Sequence, residues 1–262
     1  MNPRMDGRIA LVTGSSEGLG KAMALAFAKV GADVAICARR EEPLQAAQRE
    51  IAEATGQTIR AYSANVATAD GVQSLYDRVM ADFGRVDVLV NNAGTSQTGA
   101  FLGITDEVWQ ADLDLKLFAA IRLCRLALPG MMERKWGRII NILNIGAKAP
   151  RGGSAPTAVS RAAGMALTKV LSKEGAPHNV LVNGLCTGII DSHQWVRRFE
   201  AAGGNRDYAT FLMDMAEEMG LPMGRVGTAE EYANMACFLA SDAGSYINGT
   251  AINIDGGMSP MV

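Results

Sequence analysis

Residues 8–20 read RIALVTGSSEGLG, an apolar run of strand length that passes directly into a glycine-rich turn. A helical pattern begins at the end of this turn and continues to residue 30. Glycines in such a turn let the backbone approach a pyrophosphate closely, and the helix N-terminus offers free N–H groups with a positive dipole end. The stretch therefore predicts the first unit of a dinucleotide-binding fold; a tight turn that binds no ligand is the alternative.

The alternation of strand and helix continues along the chain. Apolar runs of strand length occupy residues 8–13, 33–38, 58–62, 87–91, 138–143, 180–186 and 250–254. Helical patterns occupy residues 18–30, 41–55, 69–83, 106–131, 157–175 and 228–240. Continuous apolar strands separated by helices are typical of a parallel sheet that is covered on both faces. We therefore expect one α/β domain over residues 1–262, a doubly wound Rossmann-type sheet of seven strands.

One long segment, residues 188–227, interrupts this alternation. It is rich in large apolar residues, including four methionines or aromatics between positions 208 and 215. A structureless loop of this length is uncommon in a compact domain. We predict two short helices that form a lid over a site at the carboxyl ends of the strands. Packing against a neighbouring subunit is the alternative, and the methionines favour a hydrophobic substrate.

The composition excludes several classes of protein. The 262 residues include 25 Lys or Arg and 27 Asp or Glu, a balance that argues against a nucleic-acid binder and against a polybasic membrane-surface protein. No apolar stretch approaches the roughly 18 residues of a membrane span, and no secretion signal precedes the first strand. We therefore expect a cytoplasmic protein. The two histidines and four cysteines lack metal-ligand spacing, so no metal site is expected and the cysteines are interpreted as buried, unpaired side chains.

The end of the second strand indicates which cofactor is preferred. Residues 36–40 read ICARR, so Arg39 stands near the position where a dinucleotide fold reads the adenosine ribose. A guanidinium attracts a 2′-phosphate, whereas a carboxylate would bind the free 2′-hydroxyl. Arg39 therefore favours NADP(H) over NAD(H), while Glu17 in the glycine turn works mildly against this preference.

Four motifs together resemble those of one enzyme family. They are residues 13–20, Asn-Asn-Ala-Gly at 91–94, Gly-Arg-Ile-Ile-Asn at 137–141 and Ile-Asn-Ile-Asp-Gly-Gly at 252–257. The chain resembles the classical short-chain dehydrogenases/reductases, in particular 3-oxoacyl-ACP-reductase-like members, over nearly its full length. The resemblance implies strand order 3-2-1-4-5-6-7, interconversion of a carbonyl and a secondary alcohol, and a homotetramer or homodimer.

The glycine turn and the resemblance together assign the cofactor contacts. The turn would hold the pyrophosphate, two later loops the adenine and ribose, and the segment after the sixth strand the nicotinamide. The assigned residues are Gly14, Ser16, Gly18, Leu19, Gly20, Arg39, Asn65, Val66, Asn92, Ala93, Gly94, Arg161, Gly188, Ile190 and Ser192.

The catalytic positions implied by the resemblance carry unusual residues. The family uses a Tyr as proton donor, a Lys in the motif Tyr-x-x-x-Lys, a Ser and an Asn. These positions fall here on Thr157, Arg161, Asn144 and Lys116 respectively. An aliphatic hydroxyl is a much weaker acid than a phenol, whose pKa is about 10. Asn144 can still donate a hydrogen bond to a substrate oxygen, and Arg161 can still bind ribose hydroxyls.

The proton donor is therefore open among several residues. Lys116 could donate if burial lowers its pKa, or it could simply pair with Asp112 one turn earlier. His193 and Tyr208 lie in the lid segment, where either a donor role or a packing role is compatible with the sequence.

A group of basic residues bears on the substrate. Lys148 and Arg151 lie on one loop and, together with Lys116 and Arg161, would favour an anionic substrate. A solvated basic loop is the alternative for the first two residues.

Three functions follow from these patterns. The first is an NADP(H)-dependent oxidoreductase of a small-molecule carbonyl or alcohol with a non-standard proton donor. The second is an NADP(H)-binding protein without turnover that acts as a sensor or partner subunit. The third is a non-redox enzyme, such as a lyase or isomerase, on the same fold.

Overall fold

Seven parallel strands form the central sheet in the computed structural model, which describes residues 3–204 and 207–262. The strands of the chain are β1 (Ile9–Thr13), β2 (Asp33–Ala38), β3 (Ile59–Ser63), β4 (Val88–Asn91), β5 (Thr98–Gly99), β6 (Gly137–Asn144), β7 (Ala155–Pro156), β8 (Val180–Thr187) and β9 (Ala251–Ile254). The sheet order is β3-β2-β1-β4-β6-β8-β9. The predicted order of the seven main strands is confirmed, since β5 and β7 lie outside this sheet.

Helices cover both faces of the sheet. They are α1 (Gly18–Lys29), α2 (Glu41–Thr55), α3 (Ala69–Phe83), α4 (Asp106–Leu113), α5 (Ala119–Glu133), α6 (Thr157–Gly175), α7 (His193–Ala201), α8 (Tyr208–Glu218) and α9 (Ala229–Ala240). Successive residues of β1 point to opposite faces, so Val12 packs in one apolar cluster with residues of α1 and α9, while Leu11 packs in another with residues of α3 and α5. The chain is a single Rossmann-type α/β domain, as predicted.

The helix predicted over residues 106–131 is interrupted in the structure. Residues Asp114–Phe118 form a π-helical turn between α4 and α5, and α5 ends later than predicted, at Glu133. The turn inserts one extra residue into the helical ladder, which changes the direction of the side chains that follow. Lys116 lies in this turn and is buried.

A second, two-stranded sheet lies beside the carboxyl ends of the main strands. β5 pairs antiparallel with β7, and this pairing holds the loop after β4 against the loop after β6. The backbone of Gln97 thereby reaches Thr157, the first residue of α6. Strands of two residues carry no hydrophobic period, which is why the sequence did not predict them.

The segment between β8 and α9 contains the two helices α7 and α8. Trp195, Met215 and Leu221 form the centre of a small apolar cluster of its own there. The rings of Phe199, Tyr208 and Phe211 also pack together, with centroids between 5.3 and 6.0 Å apart. The two predicted helices are present. That the segment acts as a lid stays a prediction.

Three further features of the described residues bear on function. All four cysteines are buried and free, which confirms their interpretation. Within residues 3–204 and 207–262, no helix combines the length and apolarity needed to cross a bilayer. Over the same ranges, no group of three or more His, Cys, Asp or Glu residues is arranged to hold a metal ion.

Candidate active site

A cavity of about 370 Å³ lies at the carboxyl ends of β1, β2 and β4 and is lined by the glycine turn. Gly14 adopts a positive φ of 65°, and a Cβ built on it would lie 2.9 Å from the Ala93 Cα. A Cβ on Gly20 would clash with the carbonyl oxygen of Gly14. The close approach of these backbone segments therefore requires glycine at both positions.

The N-terminus of α1 opens on this cavity. The helix begins at Gly18, and the side chain of Glu17, which precedes it, makes no capping hydrogen bond. The first N–H groups of α1 thus remain available to an anion, as a pyrophosphate requires. The residues of this cradle fit a dinucleotide.

The residues assigned to the cofactor fall on two adjoining cavities. Gly14, Ser16, Gly18, Leu19, Gly20, Arg39, Asn65, Val66, Asn92, Ala93, Gly94 and Ser192 line the first cavity. The remaining three, Arg161, Gly188 and Ile190, line the second. Leu19, Asn92, Gly94 and Ser192 border both, so the two spaces are continuous.

The charges around Glu17 were not predicted from the sequence. Arg40 Nη2 lies 2.8 Å from Glu17 Oε1, and Arg197 Nη1 of α7 lies 3.5 Å from Glu17 Oε2. His193 Nε2 lies 3.8 Å from the same carboxylate, at Oε1. Glu17 is therefore surrounded by basic side chains, and its charge is opposed locally. Arg39 lines the cavity beside this group.

The second cavity has a volume of about 380 Å³ and contains three of the four residues at the implied catalytic positions. Asn144 ends β6, while Thr157 and Arg161 lie one turn apart at the start of α6, so that all three face the same space. Lys116, the fourth residue, is buried behind Thr157 and lines neither cavity.

The Thr157 hydroxyl is held by three close hydrogen bonds, and Asp112 Oδ1 is a more distant acceptor at 3.5 Å. It accepts from the Gln97 backbone N–H at 2.9 Å and from Lys116 Nζ at 2.6 Å, and it donates to the Gln97 carbonyl oxygen at 2.7 Å. A hydroxyl has one proton to donate and two lone pairs to accept with, so its capacity is filled. Thr157 can give its proton to a substrate only after it leaves the Gln97 carbonyl.

Lys116 and Asp112 form a buried ion pair behind Thr157. Their side chains are 1% and 2% exposed, Lys116 Nζ contacts Asp112 Oδ1 directly, and Ser160 Oγ donates to Asp112 Oδ2 at 2.6 Å. The pair with Asp112 was one of the two alternatives for Lys116. Burial lowers the pKa of Lys116 to about 8; the hydrogen bond that Lys116 donates to Asp112 opposes this, and the charge of Arg161 adds to it. Lys116 is thus a buried cation that can lose its proton near neutral pH.

Arg161 and Asn144 provide further hydrogen-bond donors in the second cavity. Arg161 Nη1 donates to the Ile142 carbonyl oxygen at 2.6 Å, and burial lowers the pKa of this guanidinium. Asn144 Oδ1 is buried and has no hydrogen-bond partner among the described residues. A side-chain amide in this state can turn either end toward a substrate oxygen or hydroxyl.

The other candidate donors lie in different surroundings. Tyr208 donates to Asp191 Oδ1 at 2.6 Å and lines neither cavity; burial and this hydrogen bond raise its pKa. His193 lines the first cavity beside Glu17.

Two basic residues that were expected near the substrate lie elsewhere, and another basic residue lines the cavity. Lys148 and Arg151 line neither cavity. Arg198 of α7 lines the second cavity and was not singled out, because only the folded position of α7 brings it there.

Comparison with known proteins places the chain in a family. The family model described as Enoyl-(Acyl carrier protein) reductase matches residues 14–259. The chain is 32% identical over 262 residues to 3-oxoacyl-(acyl-carrier-protein) reductase FabG of Chlamydia muridarum, covering 99% of this chain and 100% of the relative. It is 33% identical over 253 residues to the FabG protein of Escherichia coli strain K12, covering 97% of this chain and 98% of the relative.

Solved structures show the same relationship. L-sorbose reductase from Gluconobacter frateurii, complexed with NADPH and L-sorbose, is 35% identical with a TM-score of 0.95 and full coverage of both chains. An NADPH-bound short chain oxidoreductase from Pseudomonas aeruginosa PAO1, described as containing an atypical catalytic center, is 33% identical with a TM-score of 0.92. That match covers 99% of this chain and 100% of the other. The protein therefore belongs to the classical short-chain dehydrogenase/reductase family.

Proposed function

We propose that this protein is an NADP(H)-dependent oxidoreductase that interconverts a carbonyl and a secondary alcohol, with Lys116 as the source of the proton. One observation carries the proposal. Lys116 Nζ lies 2.6 Å from Thr157 Oγ1, and Thr157 lines a cavity that is continuous with the cofactor cradle. A titratable cation is thereby connected through one hydroxyl to the space where a substrate carbonyl would lie.

The first cavity supports NADP(H) as the cofactor. Arg39 lines it and offers a guanidinium for a 2′-phosphate, while Glu17, which would repel that phosphate, is already paired with Arg40. The Gluconobacter frateurii and Pseudomonas aeruginosa structures are NADPH complexes, which supports the same choice. NADPH, when bound, supplies a hydride to the carbonyl carbon.

Asn144 and Arg161 would hold the reacting oxygen. Asn144 Oδ1 lacks a partner, so the amide can turn its Nδ2 toward a substrate oxygen, and the Arg161 guanidinium lies in the same cavity with donors left over after its bond to Ile142. As the carbonyl becomes an alkoxide, negative charge develops on its oxygen. Fixed donors and a cation in a partly dry cavity stabilise that charge strongly, because little water screens them.

Proton delivery would then run through two residues. Thr157 leaves the Gln97 carbonyl, transfers its hydroxyl proton to the alkoxide oxygen, and receives a proton from Lys116 Nζ. Lys116 becomes a neutral amine, still bonded to Asp112, and is reprotonated between turnovers. The lost bond to Gln97 costs about 1 kcal/mol, which the new bond to the substrate oxygen offsets.

One observation favours a second candidate, an NADP(H)-binding protein without turnover. The three hydrogen bonds of Thr157 fill its capacity, and the same arrangement would serve simply to fix the start of α6 against the loop of Gln97. In that case the Lys116–Asp112 pair has a structural role only.

A paired measurement tests the proposal. Binding of NADPH and NADH is followed by quenching of protein fluorescence, and a panel of ketones, aldehydes, oxo acids and sugars is then screened for oxidation of NADPH. Turnover of any carbonyl that is lost in Lys116→Met supports the proposal. Stoichiometric NADPH binding without turnover in any direction, including alcohol oxidation with NADP, would establish the second candidate instead.

A further inference from the structure

We infer that the substrate carries an oxo-acid group, a carboxylate or a phosphate, which Arg198 of α7 binds on the wall of the second cavity. The inference rests on the proposed function, because it assigns the substrate class of the same cavity. It starts from the charge of the cavity wall. Among the described residues that line this cavity, Arg161 and Arg198 are charged, and both are cations.

Three carboxylates near the cavity have other partners. Asp112, behind Thr157, pairs with Lys116. Asp191 accepts from Tyr208, and Asp255 accepts from the N–H groups of Gly257 and Ser259. The charge of the two arginines is therefore not balanced by a carboxylate on the cavity wall.

The position of Arg198 suits it for binding an anion. Its guanidinium carbon lies 4.5 Å from the centroid of the Trp195 ring, so the indole supports one face of the group. No carboxylate pairs with Arg198 in the part of the chain that the structure describes, residues 3–204 and 207–262. The N–H edge of a stacked guanidinium remains free, and this edge matches two oxygens of a carboxylate or phosphate.

The two arginines reach the cavity from different helices, Arg161 from α6 and Arg198 from α7. Arg161 is anchored on the Ile142 carbonyl beside Asn144, where the two would hold the reacting oxygen. Arg198 lies on α7 between β8 and α8, together with Met219 and Trp195 on the same wall. A substrate whose carbonyl lies beside Arg161 and Asn144 and whose anionic group meets Arg198 matches these two sets of donors.

The test compares substrates that differ only in charge. The 2-, 3- and 4-oxopentanoates are assayed against their methyl esters, and dihydroxyacetone phosphate against dihydroxyacetone, with NADPH saturating. We expect the anionic member of each pair to have the higher kcat/KM. Comparison of the carboxylate pairs with the phosphate pair shows which anion the site binds. A wild-type enzyme that prefers the neutral member of every pair it accepts would overturn it.

A set of variants ties this preference to Arg198. Arg198→Met keeps a long apolar side chain on Trp195 and should raise KM for the preferred anion by roughly 10–100-fold, the usual worth of charged hydrogen bonds. Its effect on the neutral partner should be within about threefold, and Arg198→Lys should restore part of the loss. Arg49→Met, which removes an exposed arginine from α2, is the matched control for overall charge. Equal losses on the anionic and neutral substrates would contradict the assignment.

A binding readout separates this inference from the proposed function. Pentanoate and pentanamide, which cannot be reduced, are titrated into the NADPH-loaded protein and followed by thermal shift at low and high salt. Stabilisation by pentanoate alone, weakened by salt and lost in Arg198→Met, supports the anion site even if no carbonyl is turned over. Carbonyl turnover together with identical responses to both probes would leave the proposed function standing and overturn the anion site.

Discussion

Lys116 Nζ lies 2.6 Å from the hydroxyl oxygen of Thr157, although one residue belongs to a π-helical turn and the other begins α6. By resemblance, these are the positions where the family has its Asn and its Tyr. The contact places a cation of lowered pKa directly behind a hydroxyl that faces the second cavity. This relationship, rather than either residue alone, is what makes an acid–base role for the pair testable.

The first prediction concerns removal of the ammonium group. In Lys116→Met, kcat for carbonyl reduction should fall by roughly 10²–10⁴-fold, the range that general acid catalysis contributes. The Kd of NADPH should stay the same, because Lys116 lines neither cavity. Steady-state kinetics and fluorescence titration measure the two effects.

A double variant controls for folding. Lys116→Met leaves the Asp112 carboxylate buried without its cation, which destabilises the protein. Lys116→Met with Asp112→Leu removes both charges and should recover stability but not kcat. If the double variant reduces carbonyls at the wild-type rate, Lys116 is not the proton source.

The pH dependence follows from the pKa of Lys116. Reduction needs the protonated amine, so kcat should be constant at lower pH and fall as pH rises through about 8, while alcohol oxidation should change in the opposite sense. The Asp112 carboxylate raises this pKa, so Asp112→Asn should move the alkaline limb to lower pH. Rate profiles of both proteins measure the shift. If the alkaline limb stays at the same pH in Asp112→Asn, the group that titrates is not Lys116.

Most of the fold could be predicted from local patterns, because apolar strands and amphipathic helices repeat with periods that are visible in the sequence. The bounds of α2 (Glu41–Thr55) and β2 (Asp33–Ala38) match the prediction at both ends. The π-helical turn escaped prediction, since an inserted residue leaves the apolar pattern of residues 106–131 nearly unchanged. Pairing of β5 with β7 depends on two distant loops and has no local signal.

The part of the candidate site that is made of backbone was predictable from the glycine turn alone. Gly14 and Gly20 lie where backbone segments approach too closely for a residue with a Cβ. The nucleotide cradle could therefore be inferred from the glycines of the turn. The contacts of Ser160 with Asp112 and of Gln97 with Thr157 arise from tertiary packing. The i, i+4 spacing of Asp112 and Lys116 was visible in the sequence, whereas their burial was not.

The hydroxyl of Thr157 should be important for both stability and rate. Thr157→Val leaves the Gln97 N–H without its acceptor and the Lys116 ammonium with Asp112 alone, which should lower the free energy of unfolding by about 1–3 kcal/mol. Reduction should also fall, since the relay is broken. Thr157→Ser keeps the hydroxyl and should retain most of the activity. Chemical denaturation and kinetics of the two variants make the comparison, and a fully active Thr157→Val would rule out the relay.

Arg39 should determine the choice between the two nicotinamide cofactors. Arg39→Met should weaken NADPH binding by roughly 10–100-fold, the worth of a charge-assisted bond to the 2′-phosphate, and leave NADH binding nearly unchanged. Arg39→Lys, which keeps the charge, should lie between the two proteins. Fluorescence titrations with both cofactors measure the ratio. If NADPH and NADH binding are weakened equally, Arg39 stabilises the cavity but does not bind the 2′-phosphate.

Tyr208 should be dispensable for proton transfer. Its hydroxyl donates to Asp191 at 2.6 Å, and both burial and this hydrogen bond raise its pKa, which makes it a weaker acid than a free phenol. Tyr208→Phe should therefore change kcat by less than about threefold and lower the free energy of unfolding by about 1 kcal/mol, the usual value of one hydrogen bond. The alkaline limb of the rate profile should stay at the same pH. A loss of kcat by about 100-fold or more with unchanged stability would transfer the donor role from Lys116 to Tyr208, because general acid catalysis accounts for losses of that size.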